Sequence, residues 1–397
     1  MSADEALGLV YVATGNSAGD YIGMQRRPFD ESWSSAVAAL DIETGRPRWK
    51  FQTVHHDLWD YDVASQPTLI DWPTPHGMRP ALIQPTKRGE FFVLDRATGA
   101  PLLPVTEHAV PTRGAVPEER IAPTQPFSDA LPSFRGAPVE EKSMWGITPL
   151  DQLWCRIKFR EARYQGALTP PGLAPSIAYP GFLGGSNWGG VSVDLDRRLL
   201  IVNTNHVGNH VQMFTRAEAD AMGVQALGIG NTRAKPEASG ISPQAGGLYA
   251  VRALPFMSPI FAPCQQPPWG RISAVDLVTG KLVWSEPFGT ARDSGPLGMA
   301  SRIPFRIGAP NLGGAVTTRS GLTFIAAAQD NYLRAIDTET GRVLWRARLA
   351  AGGQASPMTY RSASSGRQFV AISAGGHTFL NTTKGDYVYG FALPKKQ

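Results

Sequence analysis

Short apolar runs separated by glycine-bearing turns recur along the chain: GLVYVATG at 8–15, GEFFVL at 89–94 and GLTFIAAA at 321–328. Each is too short for a stable helix and is bounded by turn residues, so each predicts a β-strand. A polar motif follows each run. LDIETGRPRW (40–49), VDLVTGKLVW (275–284) and IDTETGRVLW (336–345) share the frame D-x-x-T-G-x-x-x-W, and LDRATGAPLL (94–103) matches except that Leu103 replaces the tryptophan.

The frame has a direct physical reading. An aspartate and a Thr-Gly pair build a tight turn between two strands, and the second strand carries a tryptophan into the space between neighbouring sheets. Asp41, Asp95, Asp276 and Asp337 are therefore expected as turn formers, and Trp49, Trp284 and Trp345 as packing groups. A repeat of this kind predicts the sheets of a β-propeller. About five units are expected, at 8–53, 66–106, 189–289 with a long insertion, 313–350, and a final one at 353–394 that lacks the turn motif. The Pro-rich stretch 107–180 shows little amphipathic periodicity and is expected as an excursion over one face. The polar, Gly-rich stretch 206–245 is expected as a second surface insertion and a mobile loop. The whole chain, 1–397, is read as one partial propeller domain, an incomplete ring.

Composition agrees with an all-β fold. The 42 glycines and 33 prolines among 397 residues favour tight turns over long helices. The net charge of +5 comes from scattered Lys and Arg with no basic run, which argues against nucleic acid as a partner. No apolar stretch is long enough for a membrane span, and the opening SADEALG is not a signal peptide. Cys155 and Cys264 lack zinc-site spacing; two unpaired thiols are slightly favoured over one disulfide, and both the pairing and the redox compartment are left open.

One segment concentrates chemistry. TVHHDLWDYD (53–62) places two histidines, three aspartates and a tryptophan together. Read alone, Asp60 could cap a strand end and Lys87, in PTKRG, could be a solvated turn residue. His55 and His56 are not a metal pair, because neighbouring strand residues face opposite ways; one is expected beside Asp60 and the other to pack or orient the loop.

Together, TGN (14–16), HHDLWDYD (55–62), PTKRGEFFVLDRATG (85–99), GGSNWGGVSVD (184–194), AQDNYLRAIDTETG (328–341) and SAGGH (373–377) resemble the pyrroloquinoline quinone (PQQ)-dependent dehydrogenases. Order and spacing are most similar to the membrane-bound glucose/quinate/shikimate branch. The resemblance runs through essentially the whole chain but covers only the C-terminal half of such an enzyme, whose catalytic domain is an eight-bladed propeller holding PQQ and a divalent metal.

The resemblance implies roles for individual residues. Asp60 matches the catalytic base and, with Asn16, a ligand of Ca²⁺ or Mg²⁺; Lys87 matches the lysine that hydrogen-bonds the quinone. Asn203, Asp330, Asn331 and His377 match cofactor-pocket positions, for which strand-end amides, an Asp-Asn turn and a surface histidine are the plain alternatives. Asn187 and Trp188 could approach the cofactor or merely mark a blade entry. Asp62 matches an extra ligand of lanthanide-using relatives, but the glucose/quinate branch also carries it, so no lanthanide is inferred.

The implied reaction is oxidation of a sugar, polyol or cyclic hydroxy acid, such as glucose, quinate or shikimate. Hydride passes to PQQ and electrons to ubiquinone on the periplasmic side of the inner membrane. The family's stacking tryptophan and acidic metal ligand are not found here, so a fragment, or a half partnered by a separately encoded N-terminal half, is expected. The competing readings are a non-catalytic propeller scaffold for protein–protein interaction and an inactive truncated gene product.

Overall fold

The computed structural model describes residues 1–224, 240–244 and 247–393. Positions 225–239 and 245 of the expected second insertion, and residue 394 of the final unit, lie outside the described residues. Two compact units are present. The first comprises Met1–Leu69, Pro80–Gly185 and His206–Gln266, and the second Ile70–Arg79, Ser186–Asn205 and Pro267–Gln397.

The repeat copy at 94–103 follows a three-stranded sheet that ends in Phe91–Asp95, and the other three copies fold as four-stranded antiparallel sheets with strands in sequence order. In the first unit these strands are Ser2–Asp4, Leu9–Ala13, Ala36–Asp41 and Pro47–Gln52. The second unit holds a sheet of Ala315–Thr317, Leu322–Ile325, Tyr332–Asp337 and Val343–Arg348, and another of Val191–Asp194, Leu199–Asn205, Gly270–Asp276 and Leu282–Pro287. Its last sheet has three strands, Met358–Arg361, Gln368–Ala374 and Tyr387–Ala392.

The turn aspartates act as the frame predicts. Asp337 accepts from the backbone amides of Glu339 and Thr340 and from the Thr340 hydroxyl, at 3.1, 2.9 and 2.9 Å. Gly341 follows at φ +72°, a conformation in which a side chain would be strained. Each tryptophan then depends on what comes next in the chain. Trp49 lies over Gly99 and donates its indole N–H to the Arg96 carbonyl at 3.0 Å. Trp284 lies over Gly341 and donates to the Thr338 carbonyl, also at 3.0 Å. Trp345, whose following unit lacks the turn, is 41% exposed and meets Phe391 edge-on.

Besides the expected units, the first unit contains a further four-stranded sheet, ordered Ser176–Ala178, Asn209–Thr215, Tyr249–Pro255 and Ile241–Pro243. Three of its strands come from the ends of the stretches expected as excursions, 107–180 and 206–245, and the fourth, Tyr249–Pro255, follows the second of them. Val211 and Met213 alternate inward along Asn209–Thr215 and join a core with Leu58, Trp59 and Tyr61. Residues 149–161 form a helix, not an irregular excursion: Thr148 caps its first turn by accepting from the Asp151 amide at 3.2 Å, and Pro149 occupies the first helical position.

The structure decides the open question of the two cysteines against the slightly favoured unpaired thiols. Cys155, on the buried face of this helix, forms a disulfide with Cys264 across 109 residues, with Cα atoms 5.3 Å apart. Both cysteines are fully buried among Val139, Met144, Ile177 and Phe256. Spacing carries no information about such a pair, because helix docking and not chain proximity brings the sulfurs together.

Candidate functional site

The segment 53–62 is anchored by its apolar residues, and its acids are thereby aimed. Val54, Leu58, Trp59 and Tyr61 are buried in the first unit's core. The Trp59 indole donates to the Thr169 carbonyl at 2.8 Å and the Tyr61 hydroxyl to the Pro180 carbonyl at 2.7 Å. Between these two anchors, Asp60 adopts a left-handed backbone, φ +59°, uncommon for a residue other than glycine.

Lys87 meets that turn. Its Nζ donates to the Asp60 carbonyl oxygen at 2.9 Å, to Asp60 Oδ1 at 3.0 Å and to Asp62 Oδ2 at 2.7 Å. The lysine is almost fully buried, while the two carboxylates keep 22% and 32% exposure. Glycines make room for it: a Cβ on Gly184 would lie 2.7 Å from Lys87 Cα, and the Gly185 amide donates to the Lys87 carbonyl at 2.6 Å. Asn16 completes the group. Its amide N–H donates to Asp62 Oδ1 at 2.5 Å, its side-chain nitrogen to the carbonyls of Asp20 and Asp57, and its side-chain oxygen accepts from Ser34 at 3.1 Å.

Burial and like charge divide the two carboxylates. Burial pushes Asp60 up to about 8; Lys87 opposes this, and the neighbouring Asp62 adds to it. Asp62 is also penalised by burial, but the charge and hydrogen bond of Lys87 outweigh this and hold it below the usual range. Burial disfavours the Lys87 cation, and the two aspartates more than restore it. The result is one ionised and one proton-holding carboxylate on a buried ammonium. Asn16, Asp60 and Asp62 form an oxygen-only donor set, the chemistry a hard divalent cation takes. Among the described residues no group of three or more His, Cys, Asp or Glu side chains is placed to hold a metal ion.

Neither histidine turns to Asp60. His55 faces outward, bonded to Gln52 and Glu107 at 3.0 Å each. His56 is buried between Glu31 and Glu119, at 3.0 and 2.8 Å, against Gly23, where a Cβ would meet its ring. Sequence reasoning missed Asp57, which is fully buried and organises the loop from within. Its two carboxylate oxygens accept from the Trp59 amide at 2.9 Å, the Tyr61 amide at 2.9 Å and the Ser35 hydroxyl at 2.7 Å. No sequence signal sets it apart, because any loop aspartate is followed by backbone amides it could serve.

The other residues singled out by the sequence lie in the second unit. Asn203 donates to Asn311 at 2.6 Å and to the Gly313 carbonyl at 3.1 Å. Asp330 is fully buried with both oxygens committed: to the Thr290 amide and hydroxyl at 2.8 and 2.9 Å, and to the Arg334 guanidinium. Asn331 donates to Thr383 at 3.3 Å, and its side-chain oxygen is buried without a hydrogen-bond partner. His377 packs on Trp188 with ring centroids 5.0 Å apart; its Nδ1 is likewise buried and unpartnered. A hydrogen-bond chain from the His377 amide through Thr382 to Gln354 lies alongside, at 2.8 and 2.9 Å. Buried polar atoms left unpaired are costly, so the Asn331 oxygen, an acceptor, and the His377 nitrogen, donor or acceptor by tautomer, could each pair with a polar ligand.

A family model described as PQQ: Glucose/ethanol/alcohol dehydrogenase, beta-propeller domain, matches residues 1–370. The chain is 49% identical to a glycerol dehydrogenase large subunit of Gluconobacter oxydans (strain 621H), over 99% of this chain and 53% of that one. It is 44% identical to the quinoprotein glucose dehydrogenase of Escherichia coli (strain K12), over 98% and 48%. It is 40% identical to a quinate/shikimate dehydrogenase (quinone) of Acinetobacter baylyi (strain ATCC 33305 / BD413 / ADP1), over 100% and 48%. The chain thus spans about half the length of the curated relatives it matches. Among solved structures, a europium-containing methanol dehydrogenase superposes with a TM-score of 0.59 at 22% identity, covering 94% of this chain and 50% of that one.

Proposed function

The chain belongs to the PQQ-dependent glucose/ethanol/alcohol dehydrogenase β-propeller family, and from that membership we propose that it carries the proton-accepting part of a quinoprotein dehydrogenase site. The observation that supports this most is the convergence of Lys87 on Asp60 and Asp62. A scaffold has no need of a buried ammonium between two acids.

Asp60 is the proposed base for the substrate hydroxyl. Burial makes its carboxylate a strong proton acceptor once ionised, and the Lys87 ammonium, at 3.0 Å, favours the ionised form. Asn16 and Asp60, with Asp62 beside them, would hold Ca²⁺ or Mg²⁺, and their carboxylate and amide oxygens suit either ion. Lys87 would also donate to the quinone, and Asn203, Asp330, Asn331 and His377 are the proposed cofactor-pocket residues. When bound, PQQ supplies the two-electron acceptor for the hydride. Lys87 and the acids are then left to orient the hydroxyl and take its proton.

The proposed substrates are sugars, polyols or cyclic hydroxy acids such as glucose, quinate or shikimate, with ubiquinone as the electron acceptor. Relatives named for glycerol, quinate/shikimate and glucose support that range. The periplasmic side of the inner membrane is the proposed location, and the Cys155–Cys264 disulfide favours such an oxidising compartment. No described helix is long and apolar enough to cross a membrane. A separately encoded N-terminal half is the proposed protein partner.

The test is dye-linked oxidation of glucose, quinate and shikimate with added PQQ and Ca²⁺, alongside Asp60→Asn and Lys87→Met. PQQ-dependent turnover that drops at least ~10²-fold in either variant supports the assignment. Turnover indifferent to both substitutions refutes it.

A further inference from the structure

We propose that the buried Ser35–Asp57 pair is a positioning clamp that sets where Asp60 and Asn16 stand relative to each other. The inference rests on the dehydrogenase reading for its catalytic meaning, though not for its geometry.

Ser35 is fully buried and, like Asp60, has a left-handed backbone, φ +46°. Strain at a buried, non-glycine position persists only where several bonds over-determine it, and here they can be counted. The Ser35 amide donates to the Gly15 carbonyl at 3.0 Å, one residue before Asn16. Its carbonyl accepts from the Thr53 amide and hydroxyl at 2.9 and 2.8 Å, at the start of the segment that ends in Asp62. Its hydroxyl donates to Asp57 Oδ2 at 2.7 Å.

Asp57 then controls the other side. Its carboxylate accepts from the amides of Trp59 and Tyr61, which flank Asp60 on both sides, at 2.9 Å each. Pinning both neighbours leaves the peptide at Asp60 little choice but the left-handed turn that aims its carbonyl and carboxylate at Lys87. The Asp57 carbonyl also accepts from the Asn16 side chain at 3.3 Å. One serine hydroxyl and one carboxylate therefore join the strand end carrying Asn16 to the loop carrying Asp60 and Asp62. Asp57 touches none of the atoms that would react. It acts through Asp60.

The position of Lys87 reports the clamp without any cofactor. In the wild-type chain, held by Asp60 and Asp62, Lys87 should react with an amine-acylating reagent far more slowly than exposed Lys281, as read by peptide mass spectrometry. Asp57→Ala should speed Lys87 acylation by about tenfold and leave Lys281 unchanged. Asp57→Asn, which keeps one acceptor oxygen, should fall between, and Ser35→Ala, which removes one hydroxyl, guards against a variant that fails to fold. With PQQ and Ca²⁺ present, the same variants should lose about tenfold or more in kcat with KM within about twofold, because misplacement of the base costs rate before affinity.

Lys87 acylation unchanged in both Asp57→Asn and Ser35→Ala overturns the clamp, whatever the turnover. So does a rise confined to variants whose melting transition shows them unfolded at the assay temperature, since that is general unfolding, which Lys281, already exposed, does not report. Acylation that responds in the variants at Lys87 alone supports the clamp whether or not the chain turns over substrate, and the dehydrogenase reading falls separately, by turnover indifferent to Asp60→Asn and Lys87→Met.

Discussion

The indole of Trp284 covers the turn glycine Gly341 so closely that a Cβ built there would lie 2.7 Å from Trp284 Cε3. The same indole donates its N–H to the Thr338 carbonyl in that turn. Strain and contact therefore coincide at one residue. Gly341→Ala should cost about 1–3 kcal/mol, from the positive φ and from overpacking against the ring, measurable by urea denaturation.

Trp284 and Trp345 occupy equivalent places in the repeat but not equivalent surroundings. Trp284→Ala removes a ring seated on a turn and should cost about 2–3 kcal/mol. Trp345→Ala removes a ring already 41% exposed and should cost less than about 1 kcal/mol. Equal losses would mean that the turn glycine contributes nothing to seating the tryptophan.

Asp60 makes the cation-free chain sensitive to alkali. Its carboxyl is pushed up to about 8 by burial, from an ordinary value of 3.8. Folding thus favours the protonated form. That contribution is complete below the unfolded value and is lost as pH rises through about 8. Thermal melts between pH 5 and pH 9 should show this loss, and Asp60→Asn, which cannot ionise, should flatten it.

His56 gives a second, separable pH dependence. Burial disfavours its imidazolium, but the hydrogen bonds and charges of Glu119 and Glu31 outweigh that and raise it above its ordinary value of 6.5. Its stabilising contribution is present in full below the unfolded value and disappears as pH rises through the higher folded one. His56→Gln should lower the melting temperature at pH 6 and lower it less at pH 9.

The Cys155–Cys264 bond closes a loop of 109 residues. Chain-entropy reasoning assigns such a closure about 2–5 kcal/mol. Cys155→Ser with Cys264→Ser should lower the denaturation midpoint accordingly. Reductant should bring the wild-type chain to the same midpoint and leave the double variant where it was.

What the sequence made legible follows from how local each interaction is. The D-x-x-T-G turn is closed by atoms within five residues, so its aspartates could be read directly, and the structure gives them the expected bonds. The sheet built from 176–178, 209–215, 241–243 and 249–255 has no such turn, and its neighbours are distant in the chain. Asp60 and Lys87 stood out through the family resemblance alone, because a lysine 27 residues downstream carries no periodic signal. Asp57 was hidden for the opposite reason. It sits inside the quoted motif, yet a buried aspartate that serves backbone amides reads in sequence like any loop acid. The thiols show the same limit, since only docking of the helix 149–161 brings them together.

Each tryptophan can be regarded as a plug and each Thr-Gly turn as its socket. Trp49 fills the socket at Gly99 and Trp284 the one at Gly341. The repeat at 94–103 carries a leucine where its plug would be, and among the described residues no Thr-Gly turn covers Trp345. Adjacency of sheets is therefore written junction by junction, not as a uniform period. Dividing the chain into two separate pieces just after 103 or 350 would part no filled pair, whereas a division between 49 and 99 or between 284 and 341 would place a plug and its socket on different pieces.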